Sequence, residues 1–130
     1  MLFYVASSWK NRKAARELMI DLELSALPLR SSATWLSPDY DETGETPLQI
    51  ATRDTRDIRR THIFIFLESP FVSVGRFWEL GYAHARGLHT IYYLPKHMTP
   101  SEVTTIFTEL ANYRAYSHQM LMAKLWDLSE

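Results

Sequence analysis

His62-Ile63-Phe64-Ile65-Phe66-Leu67 is the strongest strand signal in the chain, aromatic or β-branched at most positions and with no polar alternation. A run apolar on both faces belongs in a parallel sheet covered on both sides. Upstream, Thr46-Pro47 opens a helix, with Thr as its cap and Pro at its first position. Leu48, Ala51, Thr55 and Ile58 are the expected buried stripe of that helix. Downstream, a loop with Ser69-Pro70 and Ser73-Val74-Gly75 leads into a helix from about Arg76 to Arg86, closed by Gly87. His89-Thr90-Ile91-Tyr92-Tyr93-Leu94 then reads as another buried strand, stopped by Pro95.

Further out the same alternation continues. Met1-Leu2-Phe3-Tyr4-Val5-Ala6 is a short buried strand bounded by Ser7-Ser8. Ala14, Ala15, Leu18, Met19 and Leu22 recur at helical spacing and predict an amphipathic helix of about 14 residues. Leu27-Pro28-Leu29 and the stretch to Trp35 read as a weaker strand, placed at an edge by Pro28. Residues 36–46 are rich in turn formers and read as an exposed loop. Thr99-Pro100 begins a helix carrying Val103, Ile106, Phe107 and Leu110, and a last helix runs from about Gln119 to Leu128. Alternating strands and helices predict one domain over residues 1–130, a three-layer α/β sandwich with a mostly parallel, Rossmann/flavodoxin-like sheet.

Composition narrows the function classes. The 130 residues are 46% hydrophobic and 22% charged, which excludes a disordered chain. Fourteen Lys and Arg against fifteen Asp and Glu leave a net charge of −1, so no basic surplus points to nucleic acid or a membrane surface. With no cysteine there is no disulfide scaffold, thiolate zinc site or cysteine nucleophile. No apolar run reaches the roughly 18 residues of a membrane helix, and no basic region leads a long apolar stretch at the N-terminus. A cytoplasmic domain is expected. His62, His84, His89, His97 and His118 show no ligand spacing, so no metal is expected. No GxSxG elbow and no GxxxxGK[ST] phosphate loop is present.

Ligands of parallel sheets bind beyond the carboxyl ends of the strands. Those ends are Ser7-Ser8-Trp9, the Thr34-Trp35 region, Glu68 to Gly75 and Pro95-Lys96-His97. Ser73 and Gly75 enter a helix whose first N–H groups favour an anion such as a nucleotide phosphate. The plainer reading is a helix-capping loop. Glu79, one turn into that helix among Phe77, Trp78, Leu80 and Tyr82, is a candidate nucleophile or acid/base group. It is equally read as an ordinary polar residue of an amphipathic helix. Asp54 and Asp57 either join Arg53, Arg56, Arg59 and Arg60 on a solvated face or bring a second carboxylate to Glu79. Two carboxyl groups about 5 Å apart suit double displacement at an acetal carbon. Trp9 and Trp35 follow strand ends, where a ring can stack on a base, though core packing is the default for such rings.

Phe3-Tyr-Val-Ala-Ser-Ser-Trp-Lys-Asn11, Asp54-Thr-Arg-Asp-Ile58 and Ser73-Val-Gly-Arg-Phe-Trp-Glu-Leu-Gly-Tyr-Ala-His-Ala-Arg-Gly87 together resemble the nucleoside 2-deoxyribosyltransferase-like superfamily. That group includes deoxyribosyltransferases and N-hydrolases of nucleoside 5′-monophosphates. The resemblance covers roughly residues 2–95. It implies that Glu79 is the nucleophile attacking C1′ of the sugar and that Asp54 assists departure of the base, with Asp57 as the alternative. Ser73 is similar to the serine that contacts the 5′-phosphate in the monophosphate hydrolases. Transferases of free nucleosides tend to carry an acid there, so hydrolysis of a nucleotide is favoured. Tyr4, Ser7 and Trp9 match the strand and loop lining the sugar and base pocket. Two departures stand out: Ala6-Ser7-Ser8-Trp9 is bulkier than the family's small-residue turn, and His62 replaces the acid that often opens the third strand.

The expected partner is therefore a small nucleotide or nucleoside, with no metal or organic cofactor, nucleic acid or membrane. The resemblance also implies a homodimer or higher homo-oligomer, in which a second subunit completes the site of so short a chain. A non-catalytic nucleotide sensor of the same fold and an interaction domain with exposed aromatics are the rival readings. The joint presence of Asp54, Ser73 and Glu79 is a coincidence under the last of these.

Overall fold

The computed structural model describes residues 1–42, 44–96, 98 and 106–130. Five parallel strands form one sheet: β1 (Leu2–Ala6), β2 (Arg30–Ser31), β3 (Ile63–Leu67), β4 (His89–Tyr93) and β5 (Tyr113–Ala115). Their order is β2-β1-β3-β4-β5. Four helices, α1 (Arg12–Glu23), α2 (Pro47–Arg59), α3 (Gly75–Ala85) and α4 (His118–Ser129), complete the three-layer α/β sandwich.

The central strands behave as their composition dictates. Phe3 to Ala6 and Ile63 to Leu67 are buried throughout, because neighbouring strands and helices cover both of their faces. Parallel register pairs Phe3 with Ile63 and Ile63 with His89. Each buried Phe or Ile side chain contributes roughly 1.5–3 kcal/mol. Thr46 and Gln49 form a reciprocal capping box at the start of α2, with Pro47 at its first position. Gly87, at φ +75°, takes the left-handed conformation that ends α3 and turns the chain into β4.

Several expectations need correction. The second strand shrinks to Arg30–Ser31, although it does lie at the sheet edge. Trp35 sits instead in a 3-10 turn, Thr34–Leu36. The loop at 36–46 contains another such turn, Pro38–Glu42. Of the stripe expected to bury α2, Ile58 is buried and Thr55 half-buried, but Leu48 is 76% exposed and Ala51 is exposed, while Arg53 and Asp57 face inward. This helix covers a polar cleft rather than the apolar sheet, so its charged side turns in. In the helix expected from Thr99-Pro100, Thr99, Pro100 and Val103 lie outside the described residues, as does His97, while Ile106–Leu110 is a 3-10 turn. The edge strand β5 was not anticipated.

Candidate active site

In the order β2-β1-β3-β4-β5 the connections leave β1 and β3 in opposite directions, which opens a crevice beyond their carboxyl ends. A cavity of about 500 Å³ lies there. The turn after β1 supplies Ser7, Ser8 and Trp9 to it; α2 supplies Arg53 and Asp54; the start of α3 supplies Gly75, Arg76 and Glu79. Tyr4, Trp35, Asp41 and Ser73 also line it.

A chain of two hydrogen bonds from separate elements ends on Glu79. The Tyr4 hydroxyl donates to its Oε2 at 2.9 Å and itself accepts from Trp35 Nε1 at 3.0 Å. Tyr4 is wholly buried, stacked on Phe64 and edge-on to Trp35. Burial, and then the charge of Glu79, hold its phenol well above the ordinary value, so it stays a neutral donor.

The two carboxylates titrate unusually. Burial pushes Glu79 up to about 8; the charge of Asp54 adds to this, while the Tyr4 hydrogen bond and Arg53 oppose it. Burial also lifts Asp54 to about 6, against the charge and hydrogen bond of Arg53. Arg53 is itself buried, bonding Asp54 through Nε at 3.2 Å and Glu45 through Nη1 at 2.6 Å. The site therefore holds two mutually repelling acids that retain about one proton between pH 6 and 8.

Asp57 is placed elsewhere. Fully buried, it accepts from the Thr34 N–H at 2.7 Å and the Thr34 hydroxyl at 3.0 Å. That commitment fixes the turn carrying Trp35, and Asp57 does not line the cavity. The structure thus places Asp57, the alternative to Asp54, on the Thr34 turn rather than on the cavity wall.

Ser73 lines the cavity just before α3, and no side chain caps that helix, whose N-cap is Val74. The capping reading of Ser73 thus fails. Directly below, Arg76 is buried against Glu68, at 3.0 Å, under the rings of Phe66 and Phe77. Glu68 also accepts from the Ser69 N–H and the Tyr92 hydroxyl, both at 2.8 Å.

The turn after β1 is held by its serines. Ser7 Oγ donates to the Leu67 carbonyl and accepts from Asn11, while Ser8 and Ser69 share a 2.6 Å bond across the β1 and β3 ends. Trp9 is half-exposed on the wall, edge-on to Trp35 and beneath the Arg12 guanidinium. Trp35 is buried, with its N–H taken by Tyr4, so of the two tryptophans Trp9 has the ring available for stacking.

Arg53, Arg76 and Asp41 are among the cavity residues that the sequence pattern did not mark as candidates. Asp41 is clamped by Arg16 at 2.5 and 3.1 Å, and the Arg16 hydrogen bond holds it below the usual carboxylate range. The lone arginine of Val-Gly-Arg-Phe-Trp was the available signal for Arg76. Nothing in Asp39-Tyr-Asp41 distinguished its last member. His62 is explained by position: its Nδ1 accepts from the Leu2 N–H at 2.9 Å, at the amino end of the sheet and away from the cavity. Among the described residues no cluster of His, Asp and Glu is arranged to hold a metal, and no helix is long and apolar enough to cross a membrane.

No family model and no curated protein matches the chain. Solved structures do match over nearly its full length. The CMP N-glycosidase BcmB of Clostridium botulinum is similar at TM-score 0.60 and 20% identity, over 98% of this chain and 97% of that one. A conserved protein from Enterococcus faecalis is similar at TM-score 0.68 and 14% identity, over 98% of each. A 2-desoxiribosyltransferase from Leishmania mexicana is similar at TM-score 0.63 and 16% identity, over 97% of each. The fold implied by the sequence resemblance is thus the fold observed.

Proposed function

We propose that this protein cleaves the N-glycosidic bond of ribo- or deoxyribonucleoside 5′-monophosphates, releasing the free base through a glycosyl ester on Glu79. The observation that carries this reading is the pair Glu79 and Asp54, two acids of raised pKa facing one cavity at the β1/β3 crevice. Two neighbours in fold, a CMP N-glycosidase and a 2-desoxiribosyltransferase, act on bonds of this class and support it.

The proton shared by the pair sits on Asp54 in the reactive tautomer. Ionised Glu79 attacks C1′ and the C1′–N bond breaks. Its electrons go to the base nitrogen, which takes the Asp54 proton. Water then attacks C1′; Asp54 accepts a proton from it, and the ester bond to Glu79 breaks. The products are free base and sugar 5-phosphate, with both acids restored. Ser73 and the N–H groups opening α3 receive the phosphate. A neutral hydroxyl there favours a phosphorylated substrate, and water as acceptor makes the enzyme a hydrolase rather than a transferase. Tyr4 orients the nucleophile, and Trp9 offers its ring to the base. The chemistry needs no metal or organic cofactor.

The reading extends to assembly. A second cavity of about 580 Å³ adjoins the first through Ser73 and is lined by Val74, Phe77, Trp78, Tyr82 and Phe107. Val74, Trp78 and Phe107 are at least half exposed. An apolar surface beside the site suits a second copy of the chain, which would close the cavity's open side. Reaction in the cytoplasm is part of the proposal.

Trapping tests the covalent step. Intact-protein mass spectrometry after rapid acid quench should show an adduct of one sugar phosphate, absent in Glu79→Ala. Base release without an adduct under any quench, and undiminished in Glu79→Ala, would overturn it. Nucleotide-induced stabilisation with no base release would identify the sensor instead.

A further inference from the structure

We propose that Trp35 is a positioning residue: its indole N–H fixes the Tyr4 hydroxyl as a donor to Glu79 Oε2, leaving Oε1 to attack the sugar. The inference rests on the nucleophilic role given to Glu79. Hydrogen-bond polarity dictates the direction of each contact. An indole nitrogen only donates, whereas a phenol has one proton and can also accept. Trp35 Nε1 lies 3.0 Å from the Tyr4 oxygen, so at that contact Tyr4 must accept. Its single proton is then directed along the 2.9 Å contact to Glu79 Oε2.

The arrangement is rigid. Tyr4 is 1% and Trp35 6% exposed, with the rings edge-on at 6.3 Å, and water has little room to replace either partner. Asp57 holds the Trp35 turn through Thr34, so a buried carboxylate outside the cavity anchors the chain of bonds Trp35–Tyr4–Glu79. Donation into Tyr4 strengthens its onward donation, because successive hydrogen bonds polarise one another. The result favours the ionised nucleophile over the protonated one, against the effect of burial.

Three variants and one spectrum test this without relying on catalysis. In protein carrying ¹³C-labelled glutamate, the Glu79 carboxyl is titrated by NMR in wild type, Trp35→Phe, Tyr4→Phe and the double variant. Trp35→Phe is expected to raise the midpoint by roughly half a unit. In the Tyr4→Phe background the same change is expected to do nothing, since the relay is already cut. An unshifted midpoint in Trp35→Phe, or an equal shift in both backgrounds, would overturn the proposal. If Trp35→Phe does not fold, the ¹⁵N indole signals of the four tryptophans decide. The Trp35 signal should follow Glu79 through its titration in wild type and cease to do so in Tyr4→Phe; indifference to both would overturn the relay. Because these readouts need no substrate, failure of the relay is distinct from failure of the glycosidase reading.

Discussion

Glu79→Gln should change how stability depends on pH. The substitution keeps the size of the side chain and an acceptor for Tyr4, and removes the titration. In the folded protein the carboxyl moves from 4.5 to about 8, chiefly through burial. At roughly 1.4 kcal/mol for each tenfold change in proton affinity, that displacement sets a ceiling near 5 kcal/mol. Glu79 is partly exposed to the cavity and its titration is coupled to the charge of Asp54, so the realised effect is roughly 2–3 kcal/mol. A carboxyl with a raised folded pKa contributes its stability fully below about 4.5, the unfolded value, and loses it as pH rises through about 8. Wild type should therefore lose roughly 2–3 kcal/mol relative to Glu79→Gln between pH 5 and pH 9. Urea unfolding followed by tryptophan fluorescence at pH 5, 7 and 9 measures the difference, and unchanged m-values confirm comparable states. Parallel stability profiles for the two proteins would refute the burial argument for Glu79.

Base release should follow a bell in pH with limbs near 6 and 8, since the reaction needs one proton on the pair. Asp54→Asn should lower kcat by about 10²–10⁴-fold, and carboxyl NMR should show the Glu79 titration moving down as the neighbouring charge goes. Ser73→Asp should repel the phosphate and turn preference from 5′-monophosphates towards free nucleosides, read as the ratio of kcat/KM values; an unchanged ratio would remove Ser73 from the phosphate site. Trp78→Glu should convert a dimer to monomer by light scattering, whereas a wild-type monomer would contradict the assembly proposed here.

The parts of the fold that were legible are those where local chemistry and tertiary environment agree. Phe3 to Ala6 and Ile63 to Leu67 are apolar because both faces are covered, and the pattern says so directly. Arg30–Ser31 and Tyr113–Ala115 are edge strands of two and three residues, too short to display a period. The stripe of α2 misled because its inward face meets a polar cleft: Arg53 and Asp57 are buried by pairing with Asp54, Glu45 and Thr34 rather than by hydrophobicity. In the site, Glu79 and Asp54 were visible through motif and position, as were Tyr4 and Ser73. The Trp35–Tyr4 bond was not, because it joins residues 31 apart through a turn whose conformation depends on Asp57.

The most direct test of the account is chromatographic. Purified protein is incubated with ribo- and deoxyribonucleoside 5′-monophosphates and the matching nucleosides, with and without an acceptor base, and with Glu79→Ala as control. Free base is expected from at least one monophosphate with wild type and none with the variant, whose unfolding curve should still be cooperative. No release from any substrate, or equal release by Glu79→Ala, would contradict it.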